Sequence, residues 1–339
     1  MEPELPAARG PISRSLLAYL RGEAAGPRLR SVAAAPAGYD DDLQLALYCC
    51  YELTYRGFRG VDPELEWDPE VLALRHRLES WFLDDLVTTV GHPTAVDPAG
   101  AEARLFELAG GEGGPSLSQA LLDAPTVERA RELCIHRSAY QLKEADPHTW
   151  VIPRLHGEAK AATVEIQTDE YGGGVAPAMH ATLFADTMDE LDLDPTYGAY
   201  LDLIPGVTLA TTNLISMFGL HRRWRGALVG HLALFEMTSV TPMGRYAQAL
   251  ARLGLSERGR RFYDVHVEAD EEHQHIALER MVRGLLRDEP ALGGDVVFGA
   301  AALCEVERRF SERVLRRWAA GRSSLLAGHR LERVPALSA

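Results

Sequence analysis

Four cysteines, no excess of positive charge, no long apolar run and almost no strand-like alternation are the first features of this 339-residue sequence. Cys49, Cys50, Cys134 and Cys304 form no C-x-x-C pair, and two of them are adjacent. So few cysteines at such spacing exclude a disulfide-stapled scaffold and a zinc module, and they fit the reducing cytoplasm. Lys and Arg number 35 against 49 Asp and Glu, a formal net charge of −14. A surface of that sign repels phosphate backbones, which argues against a nucleic-acid partner. No stretch approaches the roughly 20 apolar residues of a membrane helix. The opening MEPELPAARG lacks the basic start and apolar run of a signal peptide. No internal repeat of fixed period occurs. What remains is an ordinary globular composition, 46% apolar and 25% charged. The expectation is a soluble, acidic, cytoplasmic protein with no membrane partner.

The pattern along the chain is helical. Residues 1–39 mix Pro, Gly, Ala and Arg and read as a loose leader with one short helix at Ser13–Arg21. From Asp40 onward Leu43, Leu47, Cys50 and Leu53 fall on one helix face. Asp40, Asp41 and Asp42 stand at its start, where the helix dipole favours negative charge. A second helix is predicted over Pro69–Val90, with proline in its first turn. Residues 91–114 hold proline and several glycines and mark a linker, interrupted by a short helix near Ala101–Ala109. A helical extension is therefore expected over 40–115. Beyond it, helices are predicted from Thr126 to Lys143, from Pro153 to Tyr171, and over Met179–Leu191, Thr196–Leu203, Val207–Phe218, Arg223–Ser239, Pro242–Leu253, Glu257–Leu286 and Asp295–Ala320. The fold class is all-α, a helix bundle over 116–325, with a frayed tail at 326–339.

Chemistry enters with the stretch FYDVHVEADEEHQH. His266, Asp270 and His273 are spaced i, i+4 and i+7, within an arc of about 60° on one helix face. Two imidazoles and a carboxylate so arranged suit iron or manganese better than zinc. The competing reading is a solvated acidic helix, since Glu268, Glu271 and Glu272 lie alongside. Glu236 sits among Leu228, Val229, Leu232, Leu234, Phe235 and Met237. A carboxylate in such a helix is costly unless it is paired or bound to metal. Glu170 and His180 are ten residues apart, with Gly172–Gly174 and Pro177 between them. A glycine-rich kink there can re-aim one toward the other. Glu165 and Asp169 compete with Glu170 as ligand. His231, about 140° from Glu236 around its helix, reads as a structural hydrogen-bonding residue. His275, about 160° from His273, is turned away from the others. Three imidazoles and three carboxylates on three helices form an inventory for two carboxylate-bridged metals inside a bundle. The pair of Glu-x-x-His motifs used by ferritin-like diiron bundles is absent.

With these residues in view, the sequence resembles the haem-oxygenase-like diiron oxidases and oxygenases, a family of iron-containing redox enzymes. The segments DEYGGG…MH…LF and GLHRRWRGALVGHLALFEMTS carry the likeness, which covers about residues 126–322. The resemblance implies a seven-helix haem-oxygenase-like bundle without haem, preceded by a variable helical extension. It also implies a ligand set: a Glu and a His from the first core helix, matching Glu170 and His180; a Glu from a middle helix, matching Glu236; and an H-x-x-x-D-x-x-H helix, matching His266, Asp270 and His273. The gaps of 56 residues from His180 to Glu236 and 30 from Glu236 to His266 agree with it. Some members carry the first Glu three or seven residues before the His; here Pro177 and Gly173 occupy those places, so Glu170 follows the longer-spaced variant.

The resemblance further implies two Fe(II) ions reacting with O₂, each supplying one electron. The implied reaction is oxidation of a small amine- or carboxylate-bearing metabolite, by N-oxygenation or oxidative C–C cleavage, in specialised metabolism. The expected partners are that small molecule and O₂; an external electron donor and a homodimer are both compatible with it. Two readings stand against it. One is a metal-independent member of the same bundle, a thiaminase-like hydrolase or cofactor-free oxidase. The other is a non-enzymatic metal-binding or scaffold protein. The run His221–Arg225 reads first as a surface basic cluster and second as a carboxylate clamp. Tyr171 and Tyr200 fit either a pocket lining or the core.

Overall fold

The structure is a computed structural model that describes residues 2–27, 35–111 and 116–327. The described residues contain helices and turns and no strand, the all-α class expected. Helix α1 (Pro11–Leu20) opens the chain and α2 (Asp41–Glu52) follows. The Asp40 side chain caps α2 by accepting from the Asp42 and Leu43 amides. Helices α3 (Pro69–Val90) and α4 (Pro98–Gly110) complete the extension, each with proline at its first turn and an aspartate cap. Then come α5 (Leu117–Asp123), α6 (Val127–Gln141), the single turn α7 (Asp146–Thr149), α8 (Gly157–Glu170) and α9 (His180–Glu190). The chain continues with α10 (Gly206–Leu220), α11 (Arg225–Arg252), α12 (Glu257–His275), α13 (Arg283–Asp288) and α14 (Gly293–Ala319). Among the described residues no helix is long and apolar enough to cross a membrane.

Three helical expectations are corrected. The two helices expected on either side of Pro242 are one: α11 runs through that proline. Packing of α11 against α12 and α14 outweighs the missing amide hydrogen bond. Where α11 crosses α14, Gly230 and Gly299 let the backbones touch; a Cβ on either would run into the Val296 or Ala227 carbonyl oxygen of the other helix. The long helix expected to Leu286 leaves α geometry at Ile276. A π-helical stretch, Ile276–Val282, separates α12 from α13 directly after the His273 turn. The stretch expected as a helix at Thr196–Leu203 is turns, ending in one 3-10 turn at Leu201–Leu203.

The leader is not loose where it is described. Ile12, Leu16, Leu17 and Leu20 of α1 are buried on α2, and the Asp42 carboxylate accepts the Ile12 and Ser13 amides at 2.8 Å. Residues 28–34 and the tail from 328 lie outside the described residues. One contiguous apolar core takes in side chains from Ile12 to Leu325, so the extension and the later helices share it. A buried ion pair ties them further. Lys143, one of only two lysines in the chain, places its Nζ 2.8 Å from Glu52 of α2. The Lys143 ammonium also lies over the rings of Tyr55 and Tyr48, at 4.1 and 4.9 Å, while Tyr197 donates its hydroxyl to Glu52 at 2.6 Å.

Candidate metal centre

Glu170 is the last residue of α8, and the chain then leaves the helix through Gly172, Gly173 and Gly174, all at positive φ. A Cβ on Gly172 would strike the backbone at Ala178–Met179, so this close turn requires glycine. The chain returns at once into α9, whose first residue is His180. The loop thus re-aims the two side chains, and His180 Nδ1 lies 2.8 Å from Glu170 Oε2. Helix α11 supplies Glu236 from an otherwise apolar stretch, and α12 supplies His266, Asp270 and His273. All six are buried. They form two groups that share a residue. In one, donor atoms of Glu144, Glu170, His180 and His266 lie within 4.8 Å of one another; in the other, so do those of Glu170, Glu236 and His273. Asp270 stands beside the second group, 3.5 Å from His273 Nδ1.

Hydrogen bonds around the cluster decide which imidazole nitrogen faces inward. His266 Nδ1 donates to the Phe262 carbonyl at 2.6 Å, which leaves Nε2 toward Glu144 at 3.7 Å. His273 Nε2 is 3.0 Å from an Asp169 carboxylate oxygen, which leaves Nδ1 3.5 Å from Glu236. The Ser239 hydroxyl donates to one Asp270 oxygen at 2.5 Å. Both oxygens of Glu144, Glu170 Oε2, His180 Nδ1, Asp270 Oδ1 and His273 Nδ1 are buried with no hydrogen-bond partner. The close His180–Glu170 contact therefore lacks hydrogen-bond alignment. Buried polar atoms without partners are costly and uncommon. Here they converge, and a mixed N/O set of this kind fits iron.

The charge balance points the same way. Burial raises the Glu144 carboxyl above its ordinary range, against the pull of His266. Burial also raises Glu236, with Asp270 and Glu170 adding to it and His273 opposing. For Glu170 burial is outweighed by His180, then His266 and His273, and its carboxyl is lowered. Burial alone would lower the two α12 histidines, yet their carboxylate neighbours bring His266 up to about 10 and His273 up to about 11. Their carboxylate neighbours thus favour protons on His266 and His273, and a bound cation would take the place of those protons. The cavity within it measures about 10 Å³, and Tyr140, His148, Ile166, Leu232 and Phe235 are among the side chains walling it.

The neighbouring candidates take other roles. Glu165 pairs with Arg280 on the surface, and half-exposed Asp169 braces His273. His231 hydrogen-bonds the His148 ring at 3.3 Å, and His275 is exposed. Arg225 pairs with Glu289, so this part of the basic run binds an acidic neighbour. The Tyr171 hydroxyl meets Asp146 and Thr149, and that of Tyr200 accepts from the Asp194 amide. Glu144 is the donor that pattern reading misses. It follows the end of α6, in no periodic register with another candidate. The one hint is an acidic residue just past a helix C-terminus, where the dipole disfavours it.

The family described as iron-containing redox enzymes, of haem-oxygenase-like fold, matches residues 131–308. That span holds all seven donor residues. Nitrosourea synthase from Streptomyces achromogenes subsp. streptozoticus is 26% identical over 206 residues, which cover 60% of this chain and 44% of that protein. The chain thus spans less than half the length of that curated relative.

Proposed function

The chain belongs to the iron-containing redox enzymes with a haem-oxygenase-like domain, and from that premise we propose that it is a non-haem diiron oxygenase or oxidase. Its substrate would be a small amine- or carboxylate-bearing metabolite, oxidised with O₂. The observation that carries this reading is the pair of buried donor groups that overlap at Glu170. Glu144, Glu170, His180 and His266 would hold one iron, and Glu170, Glu236, Asp270 and His273 the other. Two irons, when bound, supply one electron each to O₂. The Phe262 carbonyl and Asp169 fix the tautomers of His266 and His273, so that each presents one defined nitrogen. Tyr140, Ile166, Leu232 and Phe235 keep bulk water from the cluster. The likeness to a nitrosourea synthase favours nitrogen oxidation over C–C cleavage.

Anaerobic Fe(II) titration followed by O₂ exposure with a panel of amines and carboxylates tests the reading. Two irons per chain and O₂ consumption that one compound accelerates are expected. Turnover indifferent to a chelator would instead favour the metal-independent alternative. Iron uptake with no O₂ consumption would favour the binding protein.

A further inference from the structure

A second cleft, of about 240 Å³, opens to solvent beside the donor cluster. Tyr55 and Arg56, just after α2, form one side of it; Asp146, Thr149, Trp150 and Tyr171 form the other. The first two lie outside the segment matched by the family, the other four inside it. One layer of hydrogen-bonded groups separates this cleft from the cavity of the metal centre. Gln167, which lines that cavity, donates to the Ala145 carbonyl and to Thr149 Oγ1, each at 3.0 Å. Thr149 Oγ1 meets the Tyr171 hydroxyl at 3.0 Å, and Tyr171 donates to Asp146 Oδ1 at 2.9 Å.

The cleft carries one charge of each sign, and both are held ready. Arg56 Nη2 donates to the Leu142 carbonyl at 3.0 Å, and its guanidinium lies 4.1 Å from the centre of the Tyr197 ring. Among the described residues no carboxylate pairs with that guanidinium. Arg56 and Asp146 feel each other across the cleft but do not close into an ion pair, so the guanidinium is open to an anion. Asp146 uses Oδ1 for Tyr171, and no hydrogen bond among the described residues reaches Oδ2. Tyr55 and Trp150 lean together with ring centres 6.3 Å apart and offer an apolar wall to the methylenes of a ligand; the Tyr55 face itself is taken by the Lys143 ammonium. Asp146 is two residues from Glu144, and Tyr171 adjoins Glu170, so the anionic end of the cleft is the one tied to the metal centre.

We propose that this cleft binds an amino-acid-sized zwitterion, its carboxylate on Arg56, its ammonium on Asp146 and its methylenes along the Tyr55–Trp150 wall, and that the N-terminal extension supplies half of the site. The oxidation that would follow rests on the diiron reading; the binding does not.

The test is calorimetric titration of the full-length protein under argon, with and without Fe(II). The probes are the ω-amino acids from glycine to 6-aminohexanoate, each compared with the alkylamine and the alkanoate of the same length. At one or more lengths the zwitterion is expected to bind about ten-fold more tightly than both controls, the scale of one charge-assisted hydrogen bond. Arg56→Gln should bring it down to the level of the amine and Asp146→Asn to that of the alkanoate, with the far-UV spectrum of each variant unchanged. Equal binding of zwitterion and controls at every length overturns the proposal, as does selectivity that survives both substitutions. Selectivity in a protein that takes up no iron would sink the diiron reading and leave the cleft assignment standing. Iron uptake and O₂ consumption without selectivity would do the reverse.

Discussion

His273 sits with Nε2 3.0 Å from a carboxylate oxygen of Asp169, the half-exposed neighbour of Glu170 in the chain. The contact joins α8 to α12 and turns His273 Nδ1 toward Glu236. A carboxylate behind an imidazole fixes its tautomer and raises its basicity as a ligand. Asp169→Ala is therefore expected to weaken Fe(II) binding by about 10–100-fold. Because Asp169 is half exposed, the helical spectrum should not change. Competitive Fe(II) titration checks this, and wild-type affinity in the variant would reduce the contact to surface decoration.

Glu144 leads to a sharper outcome. Both of its oxygens are buried without a hydrogen-bond partner, 3.7 Å from His266 at the nearer one. Glu144→Gln keeps the shape but removes the charge. On the diiron reading, iron content is expected to fall from two per chain toward one, measured by metal analysis after anaerobic loading. Glu236→Ala should empty the other site. Two irons retained in Glu144→Gln would exclude that residue from the set.

These two residues mark where sequence reading succeeds and stops. The His266, Asp270 and His273 spacing is legible because helical geometry is local: four and three residues return a side chain to the same face. Glu236 is legible because an isolated carboxylate in an apolar helix needs a partner. The turn from Glu170 to His180 is half legible, since three glycines announce a break but not its direction. Glu144 is invisible, because nothing local relates it to residues 26 or more positions away. The run of α11 through Pro242 and the burial of α1 are hidden for a similar reason. Both are imposed by helices distant in sequence, which overrule local composition.

The Lys143–Glu52 pair is another long-range feature, with both side chains almost wholly buried. Removing one partner strands the other charge in the core, at a cost of about 3–5 kcal/mol. Glu52→Gln should show a loss of that order in chemical denaturation. The double variant Lys143→Met, Glu52→Leu removes both charges and is expected to be less destabilised than Glu52→Gln alone. Should the double variant be worse than the single one, the tyrosine hydroxyls around the pair, not the stranded ammonium, would set the cost. The same comparison bears on the metal centre, since Lys143 adjoins Glu144. Iron loading in the refolded double variant reports whether the pair also aims that carboxylate.

Acid sensitivity should trace in part to His136, which is not one of the clustered donors. Its ring is buried between Thr208 Oγ1 at 3.0 Å and Ser324 Oγ at 2.9 Å. Burial, with Arg137 and Arg313 adding to it, lowers the imidazole to about 3 from an ordinary 6.5. Above pH 6.5 the ring is neutral in both the folded and unfolded chain and contributes no pH dependence. As pH falls below 6.5 the unfolded chain takes up a proton that the folded one refuses, so stability falls with pH. The loss reaches about 2 kcal/mol at pH 5 and levels off near the folded value. His136→Gln retains polar groups for Thr208 and Ser324 but cannot titrate. Its melting temperature is expected to be lower than wild type at pH 7.5, yet to drop less between pH 7.5 and pH 5. Thermal melts at the two pH values measure this. The drop should shrink without vanishing, because burial also lowers His148 to about 4, and that ring adds a loss of the same sign.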